Sequence, residues 1–163
     1  SETEIGAPRS ALLMRLRDEK DAGVRGGVYH RLQVEMTYNS NHIEVLSCPG
    51  TDPSYLRDGN VGGEGLRVDD IIEARNHFRA IDRVIECAGT PIGEEYVKDL
   101  HRILKQGSIQ ADLDWFAVGD YKRLPNEVAM RETSAPADVA EHMRPLFECV
   151  NDVDSLTQIW TGM

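Results

Sequence analysis

The sequence predicts a mainly α fold with one small extended insert. Two observations support this class. Apolar residues recur at three- and four-residue steps over most of the chain, and the segment from 115 to 130 loses that period. With 163 residues, of which 40% are hydrophobic, the chain is long enough to bury a core. We therefore expect a single domain over residues 1–163.

The first half of the chain predicts two helices and a long loop. A stripe of leucines over residues 9–21 indicates an amphipathic helix, which Gly23 is expected to end. A second apolar period over residues 28–42 predicts the next helix. The segment from 46 to 67 is rich in Gly, Pro, Ser and Asp, and its apolar residues show no helical periodicity. It predicts a long surface loop.

Two strongly periodic helices are expected next. The clearer one covers residues 69–88, and a short carboxylate at Asp69 or Asp70 is expected to cap its start by accepting from free backbone N–H groups. The other covers residues 93–106, with Gly107 as its C-terminal cap. Their alternating steps of three and four residues predict one apolar face on each helix.

The last third of the chain predicts a hairpin and a further helix. Between residues 115 and 130, Gly119, Pro125 and Asn126 punctuate short extended pieces, which is typical of an irregular hairpin. Pro136 suits the first turn of a helix that follows.

Composition excludes several classes of function. A net charge of −10 disfavours nucleic acid as a partner, because binding to phosphate backbones depends on clustered Lys and Arg. No apolar run is long enough to span a membrane, and the first residues do not resemble a signal peptide. The three cysteines, Cys48, Cys87 and Cys149, share no spacing typical of a disulfide framework or a zinc site. A reduced, cytoplasmic location fits best.

The end of the second helix carries a hydroxyl and a carboxylate at helical spacing. Ser40 and Glu44 lie four residues apart, so both would occupy one helical face, where they could engage a guanidinium. The same residues also suit a polar helix end, because Asn and Ser satisfy backbone groups there. Spacing alone leaves both interpretations open.

The segment from Trp115 to Val128 also has two interpretations. It could be a surface hairpin whose aromatic residues pack on the core, or an edge that offers backbone groups to an extended peptide. Lys122 and Arg123 could bind anionic groups or form a solvated pair. The five histidines show no metal-binding or catalytic spacing, so we predict no catalytic residue and no metal ligand.

Four segments, taken in order, resemble the Fic (Fido) family. One runs from Gly27 into Tyr-Asn-Ser-Asn-His-Ile-Glu at 38–44, and another is Asn-His-Phe-Arg-Ala-Ile-Asp at 76–82. The others are Leu-His-Arg-Ile-Leu at 100–104 and the stretch 115–126. The resemblance implies a Fic-type helical bundle with a small β-hairpin, called the flap. It also implies transfer of AMP from ATP, with Mg²⁺, to a hydroxyl of a target protein.

The resemblance implies roles for particular residues. Ser40 and Glu44 match the ends of the family's inhibitory Ser/Thr-x-x-x-Glu motif, whose glutamate pairs with an arginine of the catalytic loop. The flap would hold the target protein by backbone pairing. The flap residues that match are Gly119, Asp120, Tyr121, Lys122, Arg123, Leu124 and Val128.

The family's catalytic loop, His-Pro-Phe-x-x-Gly-Asn-Gly-Arg, is not among these residues. It would begin shortly after Trp160, so the Fic-type bundle is incomplete at its C-terminal end. We expect the chain alone to be catalytically silent and to bind neither ATP nor Mg²⁺ tightly. We also expect uncovered apolar helix faces to favour a homodimer. The alternative is a non-catalytic protein-interaction or regulatory module.

Overall fold

The computed structural model describes residues 10–41 and 68–152. Within these ranges it contains five α-helices and one two-stranded antiparallel sheet, which confirms the mainly α class. The loop expected at 46–67 lies outside the described residues. Contacts divide the chain into two compact units, Ser1–Thr90 and Pro91–Met163. A single domain over the whole chain stays a prediction.

The first unit contains helices α1 (Ala11–Ala22), α2 (Val28–Asn41) and α3 (Val68–Cys87). The Ser10 hydroxyl caps α1 by accepting from the N–H of Leu13 at 3.3 Å. Gly23 ends α1 as predicted. Its φ of 63° is left-handed, a conformation that glycine adopts without a steric penalty.

Apolar residues from all three helices form the core of the first unit. Leu16, Tyr29, Ile81 and Ile85 are buried there, and α3 also buries Ala74 and Phe78. The apolar period predicted for α3 therefore faces the interior. The predicted cap was wrong, because α3 begins at Val68 and includes both Asp69 and Asp70 in its first turn. Acidic residues are favourable both at the N-cap and in the first turn of a helix, because the helix dipole stabilises negative charge there.

The second unit begins with α4 (Glu94–Lys105), which ends one residue earlier than predicted, and a 3₁₀ helix over Ile109–Asp112 follows. Gly107 adopts a left-handed φ of 74° after α4. The unit closes with α5 (Val139–Asn151), and a 3₁₀ turn over Pro136–Asp138 leads into α5.

The hairpin lies between α4 and α5, at the end of the predicted segment and beyond it, because residues 115–126 form turns and bends without a strand. Its strands are β1 (Glu127–Val128) and β2 (Arg131–Glu132), which pair in antiparallel register. The two turn residues, Ala129 and Met130, have φ values of 50° and 60°. A two-residue turn with two positive φ angles matches the right-handed twist of a hairpin, although Asn and Gly adopt it most readily.

Packing in the second unit leaves much apolar surface accessible. No residue of α4 or α5 is fully buried. Asn151 ties the end of α5 to the segment before α4, because its side-chain amide accepts from the N–H of Ile92 at 2.7 Å and donates to the carbonyl of Ile92 at 2.7 Å. In the described ranges of both units, no helix combines the length and apolar character needed to cross a membrane.

Candidate functional site

The second unit encloses a pocket of about 560 Å³ between α4, the segment from 115 to 126, and α5. Its walls are mostly apolar, and large side chains from all three elements form them. The main wall residues are Val97, Trp115, Phe116, Leu124, Val139 and Met143. Trp115 and Leu124 keep 54% and 52% of their surface exposed. Pockets of this size and character commonly bind ligands.

His101 holds the start of the flap segment against α4. Its Nδ1 accepts a hydrogen bond from the N–H of Gly119 at 3.0 Å, and its ring centroid lies 5.7 Å from that of Phe116. Burial, together with the nearby Lys105, lowers the pKa of His101. His101 thus links α4 to the segment that follows Trp115.

Gly119 occupies a position that a larger residue would not fit. Its φ of 70° is left-handed, and an added Cβ would lie 2.9 Å from Nε of Arg102. Both features require glycine, which lets the chain turn closely against α4.

Lys98 fixes the next two flap residues. Its Nζ lies 2.8 Å from Oε1 of Glu94 and 3.0 Å from Oδ1 of Asp120, and it sits 4.6 Å from the centre of the Tyr121 ring. The hydrogen bonds to Glu94 and Asp120 raise the pKa of Lys98. The hydrogen bond from Lys98 lowers the pKa of Asp120 in turn. These contacts orient Tyr121 at the pocket wall.

The Tyr121 hydroxyl is buried and has no hydrogen-bond partner in the described part of the chain. Burial is the main reason that its pKa is raised. A buried hydroxyl without a partner costs free energy, because it loses its bonds to water.

Polar contacts hold the base of the hairpin. Nζ of Lys122 donates to Oδ1 of Asn126 at 2.5 Å and also to the Thr133 hydroxyl, which donates to the carbonyl of Asn126 at 2.8 Å. Arg123 makes a long bond, 3.5 Å, to the carbonyl of Asp114. Both cations therefore hydrogen-bond to neutral oxygens, and the Arg123 guanidinium also helps to lower the pKa of Asp120.

The structure brings most of the predicted flap residues together. Asp120, Tyr121, Lys122, Arg123 and Leu124 all line the pocket. The other two matched residues do not. Gly119 lies behind the wall against His101, and Val128 is exposed in β1. Ser40 lies in α2, but its side chain and Glu44 are outside the described residues.

Sequence reasoning missed the pocket itself. The apolar residues Val97, Val139 and Met143 of α4 and α5 line the pocket, which their spacing in the sequence did not indicate. Periodicity shows that a helix face is apolar. It cannot show whether protein atoms fill the space opposite that face.

Among residues 10–41 and 68–152, no group of three or more His, Cys, Asp and Glu side chains could hold a metal ion. The pocket lining is mostly apolar.

Comparison of the chain with protein-family models, curated proteins and solved structures found no significant match. The class that the fold and the site define is a mainly α protein with an apolar pocket beside a short hairpin.

Proposed function

We propose that this chain is the target-binding and regulatory part of a Fic-type protein adenylyltransferase, and that it is catalytically silent alone. The observation that carries the proposal is the position of residues 120–124. The segment that resembles the target-binding flap forms one wall of the pocket and leads into an exposed hairpin. A target segment lying along the hairpin would therefore also meet the pocket.

The hairpin supports binding by backbone pairing. Both strands are exposed along their length, and each has only two residues. Exposed strand edges accept an extended peptide as an additional strand, with side chains entering adjacent pockets. The contacts of Lys98 and His101 hold the flap segment in place before a target binds, which reduces the entropy lost on binding.

The regulatory role rests on Ser40 and Glu44. In the proposed function, Glu44 competes with the γ-phosphate of ATP for an arginine of the catalytic loop, because one guanidinium cannot form bidentate bonds with both. The Ser40 hydroxyl, four residues earlier in the sequence, would orient that carboxylate. ATP and Mg²⁺ would be bound by the catalytic loop, which this sequence does not contain.

The second candidate is a non-catalytic interaction module. One observation favours it: the pocket is formed wholly by residues between Val97 and Met143 and needs no catalytic group to bind a partner. The two candidates share the target-binding surface. They differ in whether AMP transfer accompanies binding.

Transfer of label from α-labelled ATP to protein distinguishes these candidates. We expect no labelled protein with the chain alone, and labelled protein when a polypeptide carrying the catalytic loop is added. Glu44→Gln should then increase labelling, and Glu35→Gln, an exposed position in α2, should leave it unchanged. Labelling by the chain alone would refute catalytic silence. Binding to targets with no labelling in the mixture would favour the interaction module.

A further inference from the structure

We infer that the pocket of the second unit selects target segments in which one large apolar side chain is flanked by acidic residues. This inference rests on the proposed function, because it specifies which targets the flap would hold. Its evidence is the shape and the charge of the pocket.

The apolar walls set the first requirement. The pocket volume of about 560 Å³ lies within the range of roughly 300–1,000 Å³ that is typical of ligand sites. Trp115 and Leu124 are half-exposed beside it. A leucine or an aromatic side chain entering the pocket would cover both of them and remove apolar surface from water.

The charges at the edge set the second requirement. The lining includes the cations Lys98, Lys122 and Arg123 and a single carboxylate, Asp120. Glu94 and Asp120 both pair with Lys98, whereas Lys122 and Arg123 bond to neutral oxygens. In a chain with a net charge of −10, this is a local positive edge. It attracts acidic flanks, and the surrounding surface repels long polyanions.

Tyr121 contributes its side chain to the pocket wall, whereas its hydroxyl is buried and does not reach the cavity. Residue-specific contact would thus combine one apolar anchor and the two cations.

Fluorescence anisotropy with labelled heptapeptides tests the inference. The main probe is Glu-Asp-Glu-Phe-Glu-Asp-Glu, and two companions replace the central Phe by Ser or every acidic residue by Lys. We expect the probe to bind on the order of tenfold to a hundredfold more tightly than the Ser companion, since that range corresponds to burial of one large apolar side chain. The Lys companion should bind least tightly, and added salt should weaken binding of the main probe.

Matched variants locate the binding. Leu124→Asp should weaken the probe at least about tenfold, and Leu146→Asp should not, because Leu146 is equally exposed, at 55%, but lies outside the pocket. Arg123→Glu should reverse the preference for acidic flanks, and Arg131→Glu in β2 should have a smaller effect. Circular dichroism confirms that each variant is folded.

Each outcome has a defined meaning. Tight binding of the probe that Leu124→Asp and Arg123→Glu abolish supports the inference. Equal binding of the acidic and basic peptides, or binding of a single-stranded oligonucleotide at this pocket instead, would overturn it and leave a docking function in place. Self-association that Leu124→Asp disrupts, without peptide binding, would assign the pocket to a second copy and overturn it. Failure of every peptide to bind would overturn this inference, whereas the proposed function would be decided separately by the labelling experiment.

Discussion

A buried hydrogen-bond network between α2 and α3 predicts that Tyr29→Phe destabilises the first unit. The Tyr29 hydroxyl donates to Oδ1 of Asp82 and accepts from Nε2 of Gln33 at 2.8 Å, and Gln33 Nε2 lies 3.0 Å from the same oxygen of Asp82. Tyr29 and Gln33 are only 1% and 2% exposed. Water therefore has little access to replace the lost bonds.

The expected loss of stability follows from the hydrogen bonds that Tyr29→Phe removes. The substitution removes one hydroxyl and both of its bonds, and Asp82 keeps Gln33 as its remaining partner in this network. Loss of a buried hydrogen-bond partner costs about 1–3 kcal/mol. With a urea m-value of about 2 kcal/mol/M, a loss of about 2 kcal/mol lowers the unfolding midpoint by roughly 1 M. The m-value should stay unchanged.

Tyr121→Phe is the matched control, because it makes the same chemical change at a buried hydroxyl without a partner in the described residues. We expect its urea midpoint to stay the same or rise. A double-mutant cycle of Tyr29→Phe with Gln33→Met should give a coupling free energy of about 0.5–3 kcal/mol. Equal losses in the two Tyr→Phe variants, or additive effects in the cycle, would refute the role assigned to the network.

Three further predictions concern local contacts. Arg17 donates hydrogen bonds to the backbone carbonyls of Ile85, Glu86 and Ala88 at the C-terminal end of α3. Arg17→Met should therefore lower the free energy of unfolding in urea by about 1–2 kcal/mol. A loss no larger than that of Arg144→Met would contradict this. The N–H of Tyr29 lowers the pKa of Glu19 below 4.5, so Glu19 stabilises the fold above pH 4.5 and loses that effect as pH falls through its folded value. Glu19→Gln should therefore make the free energy of unfolding less dependent on pH in that acid range. If this pH dependence stays unchanged in the variant, the contact does not have the role assigned to it. Replacing Ala129-Met130 by Asn-Gly should relieve about 1–2 kcal/mol of left-handed strain per residue and increase amide protection in the hairpin. Amide protection that stays unchanged would contradict this.

Local chemistry was enough to predict most of the helices. Periods of apolar residues marked the helices because a helix repeats every 3.6 residues whatever packs against it. Gly23 and Gly107 were recognised for the same reason, since a left-handed residue after a helix depends on the local backbone. The start of α3 was misjudged because Asp69 and Asp70 suit the cap and the first turn equally well.

The network around Tyr29 shows why other features could not be predicted. Its partners Gln33 and Asp82 carry polar side chains, and polar residues on a helix usually face water. These side chains hydrogen-bond to one another where α2 packs against α3, and that packing is known only from the tertiary structure. The bond between His101 and Gly119 likewise joins residues 18 positions apart, and no sequence motif specifies it.

The sequence by itself determined a mainly α chain with a short hairpin, together with the resemblance that named Ser40, Glu44 and the flap. Tertiary structure decided that residues 120–124 line a pocket and that Lys122 and Arg123 hydrogen-bond to neutral oxygens at its edge. The physical reason is that helix formation depends on neighbours in sequence. A cavity depends on which side chains from distant segments meet, and on where they leave space unfilled.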